Sequence, residues 1–284
     1  MDIPTTEFSE QGPMMHFAHA NGYPPGAYLP LLEGLTPKYH ILAMHMRPLW
    51  GTESPEEIHD WEPFARDLLA FLNGFAKGAV IGMGHSIGAT ITLMAALDKP
   101  ELFKALILID PVIFPRWMGF YWEVIDKLGL VYALHPLTKG ALRRRTVYPS
   151  REAMFESYRK KAVFQNIDDR GLKIIIQSIT EIDQEGNAAL KYPPKWEARI
   201  YATGILRDHF IWKKLGALKI PLLIIYGDRS NAFWQMTANK VHRTLPTASL
   251  VRIPDASHLV PFEKPQIVSK YAAQFIDNLS QSGN

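Results

Sequence analysis

Six short, uninterrupted apolar runs, separated by longer amphipathic stretches, constrain this chain more than any other feature. Residues 14–18 (MMHFA), 41–45 (ILAMH), 79–83 (AVIGM), 105–109 (ALILI), 221–226 (PLLIIY) and 250–253 (LVRI) each read as a strand. An unbroken apolar run, rather than strict alternation, is what a strand shows when both faces of its sheet are covered. Helices are readable between them. Ser54-Pro55-Glu56-Glu57 has the form of a helix start, with Ser54 as N-cap, Pro55 at the first helical position and Glu57 closing a capping box. Trp61, Phe64, Leu68, Leu69 and Leu72 then recur at helical spacing as a core-facing stripe. Residues 87–97 and 266–279 read as two more helices. Strand–helix alternation of this kind predicts an α/β fold, with a mostly parallel central sheet and helices on both faces.

The alternation breaks once. Between Asp110 and Pro221 no convincing strand is readable, only amphipathic stretches such as residues 151–164 and 172–182. A structureless loop of that length is not credible, so the segment reads as a mostly helical insert before the penultimate strand. The division is then a core of residues 1–112 and 219–284 and an inserted helical domain of residues 113–218. Charge follows the same division. The insert holds 18 Lys and Arg against 11 Asp and Glu, densest at Arg143-Arg144-Arg145, whereas the chain as a whole carries a formal net charge of only +3. A basic insert reads first as a solvated helical face and second as an attraction to anionic lipid or an anionic substrate.

Composition excludes several chemistries. The 284 residues include no cysteine, which removes disulfides, thiol catalysis and cysteine-ligated metals. No His/Cys ligand cluster is visible, no zinc-protease spacing occurs, and no G-x-G-x-x-G follows a strand, so neither a metal nor a cofactor is expected. The charge is too small to suggest nucleic acid. Residues 1–13 show no basic-then-apolar leader pattern, and no stretch of about 18 apolar residues occurs, so the expected location is cytoplasmic. Contact with a membrane surface is not expected, and the oligomeric state is not readable.

The chemistry-bearing motif is Gly84-His85-Ser86-Ile87-Gly88, a G-x-S-x-G placed directly after the run 79–83 and opening the helical stretch 87–97. That strand–turn–helix setting lifts a five-residue pattern into a strong signal for an exposed nucleophilic serine. Serine needs a base to take its proton and a third group to orient that base. Of ten histidines, His258 lies in the loop after the last readable strand, where loops at the carboxyl ends of parallel strands converge. Asp110 follows the run 105–109 and Asp228 follows 221–226, so either carboxylate emerges at the same edge.

These residues resemble the α/β-hydrolase superfamily, over nearly the whole chain. The order Ser86, acid, His258 is the superfamily order. His19-Ala20-Asn21-Gly22 looks like its oxyanion loop, with Ala20 where glycine is usual, and Phe262-Glu263-Lys264-Pro265 is similar to its usual sequence after the histidine. The resemblance implies that residues 113–218 form a helical cap, and that the backbone N–H groups of Asn21 and Ile87 form an oxyanion hole. Most relatives place the acid three residues after the glycine that here is Gly227, where this chain has Ser230. A minority place it after the preceding strand, which is Asp110. The resemblance therefore favours Asp110, with Asp228 as the alternative. Ser86 also argues against the dehalogenases and epoxide hydrolases of the superfamily, which carry aspartate there. The implied activity is a serine hydrolase cleaving carboxylic esters of small apolar substrates through an acyl-enzyme. Lactone, thioester or carbon–carbon bond hydrolysis, an interfacial lipase, or a small-ligand receptor with little turnover are the alternatives. Tyr23, Trp50, Trp117, Trp122 and Trp234 are the aromatic residues expected along an apolar pocket.

Overall fold

Alternate residues of each central strand go to opposite faces of one sheet, and helices bury both faces. This is seen in a computed structural model, which describes residues 3–51, 54–76, 78–204, 206 and 208–282. The main sheet has seven strands: β1 (Thr5–Glu7), β2 (Met14–Ala18), β3 (His40–Met44), β4 (Val80–His85), β5 (Phe103–Ile109), β9 (Leu222–Gly227) and β10 (Ser249–Ile253). Their spatial order is β1-β3-β2-β4-β5-β9-β10, all parallel except for β1, which pairs antiparallel with β3. Leu106 and Leu108 of β5, with Leu222 and Ile224 of β9, join the core on one face. Ile107, Ile109, Leu223 and Ile225 join the core on the other. Two covered faces are why these strands read as unbroken apolar runs.

Helix Ile87–Asp98 is apolar around its whole circumference because it is enclosed on every side, by the sheet, helix Glu62–Phe75 and helix Asp208–Lys214. On the opposite face, helix Pro265–Ser282 packs against the short helix Leu29–Leu32. The registers pair His85 with Ile109, Ile109 with Ile225, and Gly227 with Ile253. Four strands therefore end at one edge, and the residues that follow them meet there.

Three local expectations are corrected. The chain does not enter a helix at Ser54. Pro55–Glu57 is a single 3-10 turn, Ile58 is extended again, and the helix runs Glu62–Phe75. Pro63 has no N–H with which to bond the carbonyl of His59, so one helix could not run through both prolines. Asp60 Oδ1 accepts the Glu62 N–H (2.7 Å) at the true start, while the Ser54 hydroxyl bonds Glu56. The expected stripe still faces inward, with Trp61, Phe64, Leu68 and Leu72 in the core.

Second, the segment between β5 and β9 is mostly helical but not without strands. Val147–Tyr148 (β6), Thr180–Ile182 (β7) and Ala188–Leu190 (β8) form a small antiparallel sheet in the order β6-β8-β7. Strands of two or three residues leave no periodicity to read. Third, β1 is polar and short, as suits an edge strand, and escapes a search for apolar runs.

The segment is tied to the sheet at several points. Helix Asp169–Ile179 contacts the turn Pro25–Tyr28. Trp196, Ile200, Ile211 and Leu215 belong to the same core cluster as Trp61 and Phe64. Where the chain leaves β5, Asp208 Oδ2 accepts the Phe114 N–H (2.7 Å) and Trp212 donates its indole N–H to the Phe114 carbonyl (2.7 Å).

Candidate active site

Ser86 occupies the turn between β4 and helix Ile87–Asp98 with φ 57° and ψ −124°, a backbone conformation that side chains rarely adopt. Its neighbours hold it there. A Cβ added to Gly84 would lie 2.6 Å from the Gly88 carbonyl, and one added to Gly88 would lie 2.1 Å from the Ala18 carbonyl oxygen. Only glycine permits strand and helix to approach so closely. The Ser86 N–H bonds the Ile109 carbonyl (3.0 Å), locking the turn to β5.

Ser86 Oγ is 2.9 Å from His258 Nε2, and His258 Nδ1 is 2.8 Å from Asp110 Oδ1. The hydroxyl, imidazole and carboxylate thus stand in series, with the ring between its two partners. With its Nδ1–H directed at a carboxylate, the ring presents Nε2 as the acceptor for the serine proton. Asp110 is fully buried and, like Ser86, has a positive φ (44°). Its Oδ2 accepts the Gly227 N–H (2.9 Å), and its Oδ1 accepts the Ser230 hydroxyl (2.5 Å). Ser230 is therefore oriented by its own bonds from the Ala232 and Phe233 N–H groups (3.1 and 3.2 Å), and it supports the carboxylate that His258 faces. Asp228 is exposed and closes a turn instead, its Oδ1 accepting the Ala256 N–H (3.3 Å). It makes no contact with His258 among those described.

The loop after β2 is locked from within. His19 Nε2 accepts the Met46 N–H (3.0 Å), so Nδ1 carries the proton and donates to the Ala20 carbonyl (2.9 Å). Burial holds its pKa down at about 3, which keeps this tautomer uncharged. Asn21 is fixed by its side-chain amide, which donates to the Glu197 carbonyl (3.0 Å). Ile87 opens its helix, so its N–H has no acceptor within that helix.

A second hydrogen-bonded chain lies beneath the serine and escapes the sequence reading. The Ala20 N–H donates to Tyr28 Oη (3.0 Å), Tyr28 donates to His85 Nδ1 (2.8 Å), and His85 Nε2–H donates to the His258 carbonyl (2.9 Å). Each link fixes the direction of the next, and the chain joins the β2 loop to the His258 loop. Burial pushes the His85 pKa far down and the Tyr28 pKa far up, so both groups stay neutral. The position of His85 inside the G-x-S-x-G motif is the one signal that marks it.

Comparison with known proteins places the fold in a family. The model of the "Alpha/beta hydrolase family" matches residues 17–270. The chain belongs to the α/β hydrolase family. Among curated relatives, 2-(acetamidomethylene)succinate hydrolase of Mesorhizobium japonicum is 24% identical over 268 residues, covering 94% of this chain and 88% of the relative. The crystal structure of E-2-(acetamidomethylene)succinate hydrolase superposes with a TM-score of 0.75 at 21% identity, covering 96% and 94% of the two chains. An esterase of M. tuberculosis gives 0.73 at 18% identity, covering 97% and 92%. At these identities the superpositions speak to the fold.

In this α/β hydrolase a cavity of about 470 Å³ opens above Ser86 and His258. It is lined from the sheet side by Ala20, Asn21, Ile87 and Val112, and from the inserted segment by His135, Arg144, Tyr158 and Ile200. Of the five aromatic residues expected along the pocket, Tyr23 lines it. The other four are placed elsewhere. Trp50 donates its indole N–H to the His45 carbonyl (2.7 Å) beside Arg47. Trp117 is 62% exposed. Trp122 packs on the small cluster of Ile125, Val131 and Ala202. Trp234 bonds the Asn231 carbonyl and meets Phe114 edge-on at 5.4 Å. Which face of a helix packs inward is a tertiary fact, and aromatic content does not reveal it. The other lining aromatics are Trp61, Phe114, Tyr158, Phe164 and Tyr201. Among the described residues, no group of three or more His, Asp or Glu side chains is placed to hold a metal, and no helix is long and apolar enough to cross a membrane.

Proposed function

We propose that this α/β hydrolase is a serine esterase that cleaves carboxylic esters of small, partly apolar substrates through an acyl-enzyme. The observation that carries the reading is the alignment of Ser86, His258 and Asp110 at 2.9 and 2.8 Å on the floor of a substrate-sized cavity. In the first half-reaction Ser86 Oγ attacks the ester carbonyl while His258 Nε2 takes its proton. Asp110 stabilises the imidazolium that forms. The carbonyl oxygen, now negative, accepts hydrogen bonds from the backbone N–H groups of Asn21 and Ile87, and each such donor contributes on the order of 3 kcal/mol to the transition state. His258 returns the proton to the leaving alcohol, and a water activated by the same ring releases the acid. Residues 113–218 act as a cap over the core formed by residues 1–112 and 219–284. Support for that role comes from the cavity lining, which both parts share.

The test is labelling with a fluorophosphonate, followed by peptide mass spectrometry and a panel of esters graded by acyl length. The expected result is a stoichiometric adduct on Ser86, ester turnover, and loss of both in Ser86→Ala. An unlabelled Ser86 together with ligand-induced stabilisation and no turnover would replace the esterase by a receptor.

A further inference from the structure

The lining of the cavity is electrically one-sided. Arg144, Lys161 and Arg229 contribute to it, and among the described residues no aspartate or glutamate does. Two of these cations are matched, one by a buried carboxylate and one by an exposed carboxylate. Arg144 Nη2 is 2.7 Å from Glu197 Oε1, whose side chain is almost fully buried, and Arg229 pairs with Asp255. Lys161 is different. Its Nζ lies 4.0 Å from the centre of the Tyr158 ring, and among the described residues no carboxylate pairs with it. Arg144 is near enough to act on both: its charge, after burial, lowers the Lys161 pKa and opposes the rise that burial gives the Tyr158 phenol.

Two like charges therefore act on one tyrosine of the cavity wall, Arg144 partly buried and Lys161 reaching in from an exposed position, with a single buried carboxylate to balance them. Such a site gains from an anion of the substrate, because the same anion is attracted by both cations. The Arg144 guanidinium also comes within 3.9 Å of where a Cβ on Gly22 would stand, which puts it against the loop carrying Asn21. Trp61, Val112, Phe114 and Ile200 supply apolar surface elsewhere in the same cavity.

Resting on the esterase reading above, we propose that Lys161 and Arg144 form a carboxylate subsite, and that the preferred substrates are half-esters of small dicarboxylic acids. The ester carbonyl meets Ser86, and the free carboxylate meets the two cations.

Monoethyl glutarate and adipate, compared with ethyl valerate and hexanoate, isolate the charge at equal acyl length. Ethanol release at low ionic strength is expected to show at least a tenfold higher kcat/KM for the half-esters, carried by KM, with the advantage shrinking in 0.5 M salt. Lys161→Gln should bring that ratio toward one and Lys161→Glu below one. Lys160→Gln, an exposed neighbour outside the cavity, should leave the ratio where it was. Equal or better turnover of the neutral esters by the unmodified protein, or a ratio indifferent to Lys161→Glu, overturns the subsite while leaving the esterase intact. Should no ester turn over, the esterase reading fails and calorimetry decides the subsite. Monoethyl adipate binding to Ser86→Ala and lost in Ser86→Ala/Lys161→Gln supports it, and no binding to either overturns it.

Discussion

The edge of the sheet that carries Ser86, Asp110 and His258 and the segment between β5 and β9 are built on opposite terms. At the edge, the reacting groups are over-determined. Ser86 and Asp110 both sit at positive φ, Asp110 is fully buried, and each of its carboxylate oxygens is held by a partner besides or including His258. In the segment, thirteen of the eighteen exposed large apolar side chains of the described residues are found, ten of them between Trp117 and Leu142. Geometry at the edge is fixed by backbone ladders and close glycine contacts, which tolerate little. Geometry above the cavity is set by side chains on short helices, which tolerate a great deal. On the proposed reading, the difference puts the chemistry of this α/β hydrolase on the rigid edge and its selectivity on the tolerant segment.

The sharpest break of that comparison is the exchange of carboxylates. Asp110→Asn should lower kcat by about 10⁴-fold, because an amide at that position no longer holds His258 in the required tautomer or balances its charge. Asp228→Asn should change kcat by no more than about threefold, since Asp228 closes a turn at the surface. Steady-state kinetics on one ester would check both. Similar losses in the two variants would mean that the acid is shared between strands and that the edge is not over-determined at Asp110.

A second break uses pH. Burial holds the pKa values of His16 and His19 at about 3, from an ordinary value of 6.5. The folded chain keeps both rings neutral, while the unfolded chain protonates them as pH falls through 6.5. The unfolded state therefore binds more protons between pH 6.5 and 3, and stability falls as pH drops through that window. At pH 5.5 the loss relative to pH 8 is on the order of 1.4 kcal/mol for each ring. Among the described residues neither nitrogen of His16 has a hydrogen-bond partner, so His16→Leu removes a buried polar group and should reduce the loss between pH 8 and 5.5 by about 1.4 kcal/mol, one ring's share. Urea unfolding at the two pH values reads this directly. An unchanged pH dependence in His16→Leu would place the acid sensitivity elsewhere.

The same contrast explains what the sequence reveals. Ser86 and His258 are legible because glycine spacing and strand ends are local features, and a tight strand–turn–helix leaves a fixed signature. Asp110 is legible for a negative reason: Ser230 stands where a carboxylate is expected, and the end of the preceding central strand supplies one. That Ser230 bonds Asp110 is beyond sequence, since the two are 120 positions apart. The chain from Ala20 through Tyr28 and His85 to His258 is hidden for the same reason. In the inserted segment even the elements are partly illegible. β6, β7 and β8 are too short for a period, and Trp50, Trp117, Trp122 and Trp234 offer no clue to which way they face. Long, doubly buried strands announce themselves, whereas short elements held by tertiary contacts do not.

Ser230 offers a smaller perturbation at the rigid edge. Ser230→Ala removes a hydrogen bond to a charged carboxylate, an interaction of about 1.5–3 kcal/mol, so a fall in kcat of about tenfold or somewhat more is expected with KM little changed. The double variant Asp110→Asn/Ser230→Asp sharpens the point. It moves the carboxylate to the end of β9, within reach of the same ring, and should recover part of the activity lost in Asp110→Asn alone. No recovery would show that the positive-φ backbone of Asp110, and not only its charge, is needed to aim His258.

The smallest effect is expected at Trp117, on the tolerant side of the comparison. Its ring is 62% exposed on helix Arg116–Lys127, with Phe120, Tyr121 and Val124 exposed beside it. Exchange of an exposed residue away from caps and ion pairs typically changes stability by less than about 0.5 kcal/mol. Trp117→Ser should therefore leave the urea midpoint, and turnover of a short-chain ester, within about that margin. The size of the ring makes the result informative, because a buried tryptophan at the same place would cost several kcal/mol when truncated. A midpoint shift of that larger size would mean that Trp117 is covered in solution, and the inserted segment would then be as tightly specified as the edge beneath it.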